Sequence, residues 1–190
     1  MKHLLLAFFI GAAVLAVGRT VAVSSAVASP RTDPERPTTW ELRDCRTRGD
    51  SNSPQKAPPS PGVRIGPLTI WPSVRGLSGR TINATWIYAV KAPIVLPART
   101  KVVLAIAPEA VSLAAFQSHR SGYVSAVRFE ACREREPAFK GAYRGTVGKL
   151  TGFPFAIGLT QKSACIPMDV WIDGQSTPIR RIVPVGRRSC

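Results

Sequence analysis

Beyond residue 28 this 190-residue chain has one histidine, His119, set between Ser118 and Arg120. Hydrolysis by a triad needs a hydroxyl nucleophile, an imidazole base and an orienting carboxylate. No Gly-x-Ser-x-Gly accompanies His119, and a lone loop histidine reads as solvated. Glycoside cleavage needs a pair of carboxylates. From Val63 onward the acids are Glu109, Glu130, Glu134, Glu136, Asp169 and Asp173. Glu134 and Glu136 alternate with Arg133 and Arg135, the pattern of a self-neutralising exposed turn. Asp169 lies just before the Asp173-Gly174 pair, where Arg180 or Arg181 is expected opposite it as a cross-strand partner. The glycine-bearing stretch 141–152 lacks the Gly-x-x-x-x-Gly-Lys-Ser/Thr phosphate loop. No closely spaced Cys and His pairs supply a zinc site. The residues therefore point to no catalytic, cofactor or metal site. A secreted hydrolase using an acid pair or His119 is the alternative.

The four cysteines, Cys45, Cys132, Cys165 and Cys190, form no Cys-x-x-Cys. An even number in an exported chain reads as two disulfides. Three connectivities are open. Cys132–Cys165 with Cys45–Cys190 is the expected pairing, because the second bridge would pin the N-terminal tail to the C-terminus. One bridge with two free thiols is the alternative.

Charge is the other chemical feature. Lys and Arg number 26 against 11 Asp and Glu, a net of +15. The part from Val63 holds 18 basic and 6 acidic residues, a net of +12. The densest cluster is Arg180, Arg181, Arg187 and Arg188, a candidate contact for an anionic surface. Lipid headgroups, a cell-wall polymer or another envelope component would fit. A merely solvated arginine-rich surface is the competing reading, since no run of five like charges exists. Nucleic acid is disfavoured. Tyr, Trp and Phe number 3, 4 and 7, and most sit in apolar runs where core packing explains them.

The elements that must carry these residues begin with a leader. Met1-Lys2-His3 is a short positive start, Leu4–Val17 is an unbroken run of fourteen apolar and small residues, and Ala26-Val27-Ala28 is a small-x-small site. This is the pattern of a secretory signal peptide over 1–28. The run is short of the roughly 20 residues that span a bilayer, which argues against the alternative of an uncleaved anchor carrying an accessory protein. Residues 29–62 follow, with seven of the seventeen prolines and little apolar content beyond Trp40 and Leu42. They read as a disordered linker, except that Trp40-Glu41-Leu42 would fold onto the domain if Cys45 is bridged.

From Val63 to Cys190 short apolar runs alternate with Gly, Pro and Ser, the texture of an all-β domain. The expected strands are Gly66–Trp71, Thr85–Val90, Thr100–Ala107, Val111–Phe116, Tyr123–Ala131, Phe153–Leu159, Ile166–Ile172 and Ile179–Val185. Pro108-Glu109-Ala110 could instead open a helix. Alternation puts Val102, Leu104 and Ile106 on one face, and separates Val127 and Phe129 from Arg128 and Glu130. Asp173-Gly174 signals a hairpin. Eight such strands predict an antiparallel, immunoglobulin-like β-sandwich. Leu96-Pro97-Ala98-Arg99-Thr100 looks like a sortase signal, but it is internal and ends in Thr, so it is set aside.

Three stretches carry a resemblance. These are Ala126-Val127-Arg128-Phe129-Glu130-Ala131-Cys132, Cys165 through Gly174, and Val185-Gly186-Arg187-Arg188-Ser189-Cys190. Together they are similar to small secreted proteins of actinobacteria with no assigned function. The resemblance covers under half of the domain. It implies export and paired cysteines, and no activity. The expectation is a secreted or cell-surface, non-enzymatic protein that contacts an anionic envelope component or another envelope protein.

Overall fold

The computed structural model describes residues 34–45, 50–51, 62–73, 85–118, 122–136 and 149–190. The expected leader, His119, most of the 141–152 stretch and much of the linker lie outside them. The strands are β1 (Glu41–Arg43), β2 (Asp50–Ser51), β3 (Val63–Ile65), β4 (Leu68–Ile70), β5 (Tyr88–Lys91), β6 (Ile94–Pro97), β7 (Lys101–Ile106), β8 (Ala114–Gln117), β9 (Tyr123–Val124), β10 (Ala126–Glu130), β11 (Leu150–Phe153), β12 (Ala156–Leu159), β13 (Ala164–Ile172) and β14 (Ile179–Val185). The fold is an all-β sandwich. One layer is a five-stranded sheet in the order β1-β10-β7-β13-β14. The other is divided into β2-β11-β6-β4-β3 and β5-β12-β8-β9. Among the described residues no helix is long and apolar enough to cross a membrane.

The period-two pattern explains how the layers meet. Val102, Leu104 and Ile106 of β7, Val127 and Phe129 of β10, and Ile166, Met168 and Val170 of β13 point into one core. They meet Ile65, Leu68, Ile70, Ile94, Leu96, Phe116, Phe153 and Ile157 from the second layer. Phe129 packs edge-on against Phe153 and Phe155, with centroids 5.1 and 5.4 Å apart. The β7 strand is central and is covered on its other face as well. Val103 and Ala105 join Ala126 and Trp171 in a second buried cluster. Arg128 lies in register with Val103, which faces Trp171, and its guanidinium reaches Asp173 beyond β13. Its aliphatic stem therefore crosses β7 and shields that row from water.

Several breaks depart from the expected strands. Pro108–Ala110 is a 3₁₀ turn, and the strand expected over Val111–Phe116 starts only at Ala114. The turn carries the chain from one layer to the other and leaves Val111 and Leu113 exposed. Tyr123–Ala131 is two strands because the chain changes layer at Ser125, whose carbonyl accepts from the Ile106 N–H. Phe153–Leu159 is likewise two strands. Pro154 has no N–H for a ladder, and past it the chain passes into the β5-β12-β8-β9 sheet. Four strands were unexpected, β1 and β2 in the stretch read as a linker and β3 and β6 in the domain. β3 pairs with β4 across the Gly66-Pro67 turn, where Gly66 takes a φ of 58°. β6 follows Pro93 and ends on Pro97, with Ile94, Val95 and Leu96 buried.

The N-terminal segment corrects two expectations. Where it is described, residues 34–45 belong to the same compact unit as the rest, so the unit starts upstream of Val63. β1 runs parallel to β10, with Glu41 opposite Val127 and Arg43 opposite Phe129. Parallel strands side by side bring their C-terminal ends together, so Cys45 meets Cys132. The bridges are Cys45–Cys132 and Cys165–Cys190, with Cα separations of 4.9 and 5.7 Å. The expected Cys132–Cys165 and Cys45–Cys190 pairing is wrong. Cys165 opens β13 opposite Pro184 at the end of β14, and Cys190 is the nearer partner there.

Arg43 closes the edge between the layers. It is 4 % exposed. Its Nε donates to Glu41 Oε1 at 2.8 Å and Nη1 to the Pro154 carbonyl at 2.9 Å, and Nη2 donates to the Gln117 carbonyl. The guanidinium also sits 4.9 Å from the centre of the Phe155 ring.

Three expected outcomes test the bridges and the Arg43 contacts. Non-reducing peptide mapping should recover Cys45 joined to Cys132 and Cys165 joined to Cys190, whereas a Cys132–Cys165 peptide would refute the topology. The bridges span 87 and 25 residues, so chain entropy gives about 4.6 and about 3.5 kcal/mol. Removing the first pair should therefore lower the urea midpoint more than removing the second. Arg43→Ala should cost about 3–5 kcal/mol by stranding buried polar groups, and Glu41→Leu with Arg43→Met should recover most of it. Denaturant titration of the three proteins checks this.

Candidate functional site

The four arginines picked from sequence do not converge. Asp169 and Arg180 are directly opposed on β13 and β14, as expected for a cross-strand partner. Arg180 Nε and Nη2 donate to the two Asp169 carboxylate oxygens at 2.7 and 2.8 Å, and Nη1 donates to Glu109 at 3.1 Å. Asp169 is 2 % exposed. The hydrogen bond to Asp169 and its charge raise the Arg180 pKa. Arg180 is thus committed to holding a hairpin, and Asp169 is no free acid for hydrolysis. Arg181 pairs with the inward-facing Met168 and so leaves β14 on the opposite side from Arg180. Arg187 and Arg188 are exposed beyond the end of β14, past the Gly186 bend.

Among the described residues, guanidinium groups that meet no carboxylate lie instead beside the turn from β6 to β7. The turn is held by the Thr100 N–H on the Pro97 carbonyl at 3.2 Å and by the Arg99 N–H on the Cys132 carbonyl at 3.0 Å. Ala131 N–H closes it on the Thr100 carbonyl at 2.8 Å. Arg99 pivots the turn with a φ of 65°. That region favours glycine, and a β-carbon there costs roughly 1–2 kcal/mol. A strained arginine at a turn that glycine would suit points to use of its side chain.

Beside this turn is a cavity of about 530 Å³, lined by Asp44, Cys45, Arg99, Lys101, Glu130 and Arg133 among others. The Cys45–Cys132 bridge places Asp44 and Cys45 on its wall. Glu130 is engaged on both oxygens, by Arg128 at 2.8 Å and Lys101 at 3.4 Å. Arg133 and Glu136 form the exposed turn expected from their alternation. There the carboxylate accepts from the Arg133 backbone N–H at 2.8 Å and does not meet its guanidinium. Among the described residues, no carboxylate pairs with the guanidinium of Arg99 or Arg133.

A second recess of about 480 Å³ shares Arg99 and Lys101 and continues over Thr100, Pro67 and Ile172 to Asp173. Asp173 accepts from Arg36 at 3.0 Å and from Arg128 at 3.1 and 2.7 Å. Burial pushes its pKa up, but the hydrogen bonds and charges of Arg128 and then Arg36 outweigh this and leave it below its ordinary value. Burial likewise lowers the Arg128 pKa, and Glu130 and Asp173 together raise it.

Planar, multi-donor cations at this end have the donor geometry that carboxylate and phosphate oxygens accept. Among the described residues, no group of three or more His, Cys, Asp or Glu is placed to hold a metal ion. Sequence reasoning passed over Arg99, Lys101 and Arg133. The first lay in a string read as a failed sorting motif, and the last in a turn read as neutralised. No family model, curated protein or solved structure matches the chain.

The Asp173 network makes a pH prediction. Its carboxyl binds a proton more weakly folded than unfolded, so its contribution is complete above the unfolded pKa and is lost as pH falls through the folded one. Asp173→Asn should lower the urea midpoint by a constant amount from about pH 7 to about pH 5, and the gap should close below about pH 4. A gap that does not begin to narrow once pH falls below about 4, the ordinary carboxylate range, would refute the network.

Proposed function

We propose that this is an exported, non-enzymatic binding domain that attaches to an anionic component of the cell envelope through the Arg99–Lys101–Arg133 end. The observation that carries the reading is the Arg99 guanidinium, which meets no carboxylate among the described residues and is held on a strained turn beside a cavity that it shares with Arg133. The leader-like segment over 1–28 and the two disulfides support a location outside the cytoplasm. The large positive balance supports an anionic partner. Contact therefore moves from the C-terminal arginines, which are paired or scattered, to the β6–β7 turn. Asp169, clamped by Arg180, lends no support to the acid-pair form of the hydrolase alternative, and its His119 form falls outside the described residues.

The test is retention of the chain from Ser29 onward on purified envelope as sodium chloride is raised. Screening length falls from about 10 Å at 0.1 M to about 3 Å at 1 M, so attachment should drop steeply over that range. Arg99→Gln with Arg133→Gln should weaken it roughly tenfold or more, the worth of losing charge-assisted hydrogen bonds. Arg187→Gln with Arg188→Gln should change it little. Retention that ignores salt, or that follows the C-terminal pair, would overturn the proposal.

A further inference from the structure

We infer that the ligand of this end is an amphiphilic anion, with an anionic oxygen group held at Arg99 and Lys101 and an aliphatic chain laid along Pro67 and Ile172. This rests on the anion-binding reading above and adds the ligand class. The two recesses share the Arg99 and Lys101 wall and differ in what lies beyond it. Towards Arg133 the lining is charged. Towards the β3–β4 turn it is Pro67 and Ile172, and the carboxylate at the far rim, Asp173, is already held by two arginines. A second charged group would gain little there, whereas a chain would lose apolar surface to the wall.

The wall is continuous because the turn sits close on its neighbours. A β-carbon built on Gly66 would stand 2.8 Å from Ile179 Cδ1 and 3.4 Å from Ile172 Cδ1. Ile172 and Ile179 in turn pack against the main core, so the apolar side is fixed before any ligand arrives. Guanidinium and ammonium donors at one end of an apolar trough match a phosphate monoester or a carboxylate on an alkyl chain. Such chemistry can come from a lipid headgroup in a membrane or from a dispersed amphiphile.

Calorimetric titration of the chain from Ser29 onward with methyl, butyl and hexyl phosphate tests the class. Each CH₂ buried should tighten binding up to roughly fourfold, so hexyl should exceed methyl phosphate at least tenfold. Arg99→Gly, which relieves the left-handed turn and keeps the fold, should abolish binding of all three. Ile172→Thr should flatten the chain-length dependence and leave methyl phosphate binding in place. Methyl and hexyl phosphate binding equally well would overturn the amphiphile and spare the anion site. No binding of any phosphate, together with salt-insensitive envelope retention, would remove both. Phosphatidylglycerol vesicles separate the sources. Capture on vesicles marks a headgroup, free hexyl phosphate binding without capture marks a dispersed ligand, and either supports the inference.

Discussion

A guanidinium taken out of water must have its donors met, and Arg43 imposes that demand on three parts of the chain at once. Glu41 meets it from the same strand, Pro154 from the bend between β11 and β12, and Gln117 from the end of β8. An unmet donor at such depth would cost several kcal/mol. The three-residue strand β1 therefore cannot leave without exposing or stranding these groups. The Cys45–Cys132 bridge fixes the same segment covalently from its other end. Together they make a proline-rich, polar stretch part of the sandwich and put Asp44 and Cys45 on the cavity wall.

How far this was legible depends on where the determining interaction lay. β14 matched its expected bounds, Ile179–Val185, because a β-rich run ended by Gly186 is a local signal. The alternation in β7 and β10 and the Asp169–Arg180 opposition were local in the same sense. β1 was not legible. Its only apolar residue, Leu42, is exposed, and its buried residues are an arginine and a glutamate. Nothing in composition marks a charge pair as interior. β6 was hidden by flanking prolines, although Pro97 ends the strand, where a missing N–H is tolerated. The layer changes at Ser125 and Pro154 are tertiary events that no two-residue period contains.

The candidate site was illegible for a related reason. Adjacency in sequence made Arg180, Arg181, Arg187 and Arg188 look like a cluster, but a strand sends neighbours to opposite faces and carries residues six apart to different ends. Arg99 and Arg133 are distant in sequence and meet because the Arg99 N–H bonds the carbonyl of Cys132. What matters about the +15 balance is which charges are already spoken for. Arg36, Arg43, Arg128 and Arg180 hold the architecture together. Among the described residues, the guanidinium groups of Arg99 and Arg133 meet no carboxylate.

The outermost position of β14 has a consequence for coexistence at high local density. A seven-residue border strand with open backbone groups is a template on which a second molecule could extend the ladder. Here Pro184 withholds a donor near one end, and the exposed, charged Arg181 stands near the other. Two such borders brought together repel and find no uninterrupted row of donors. Crowded copies can thus remain individually dispersed rather than fuse into fibres.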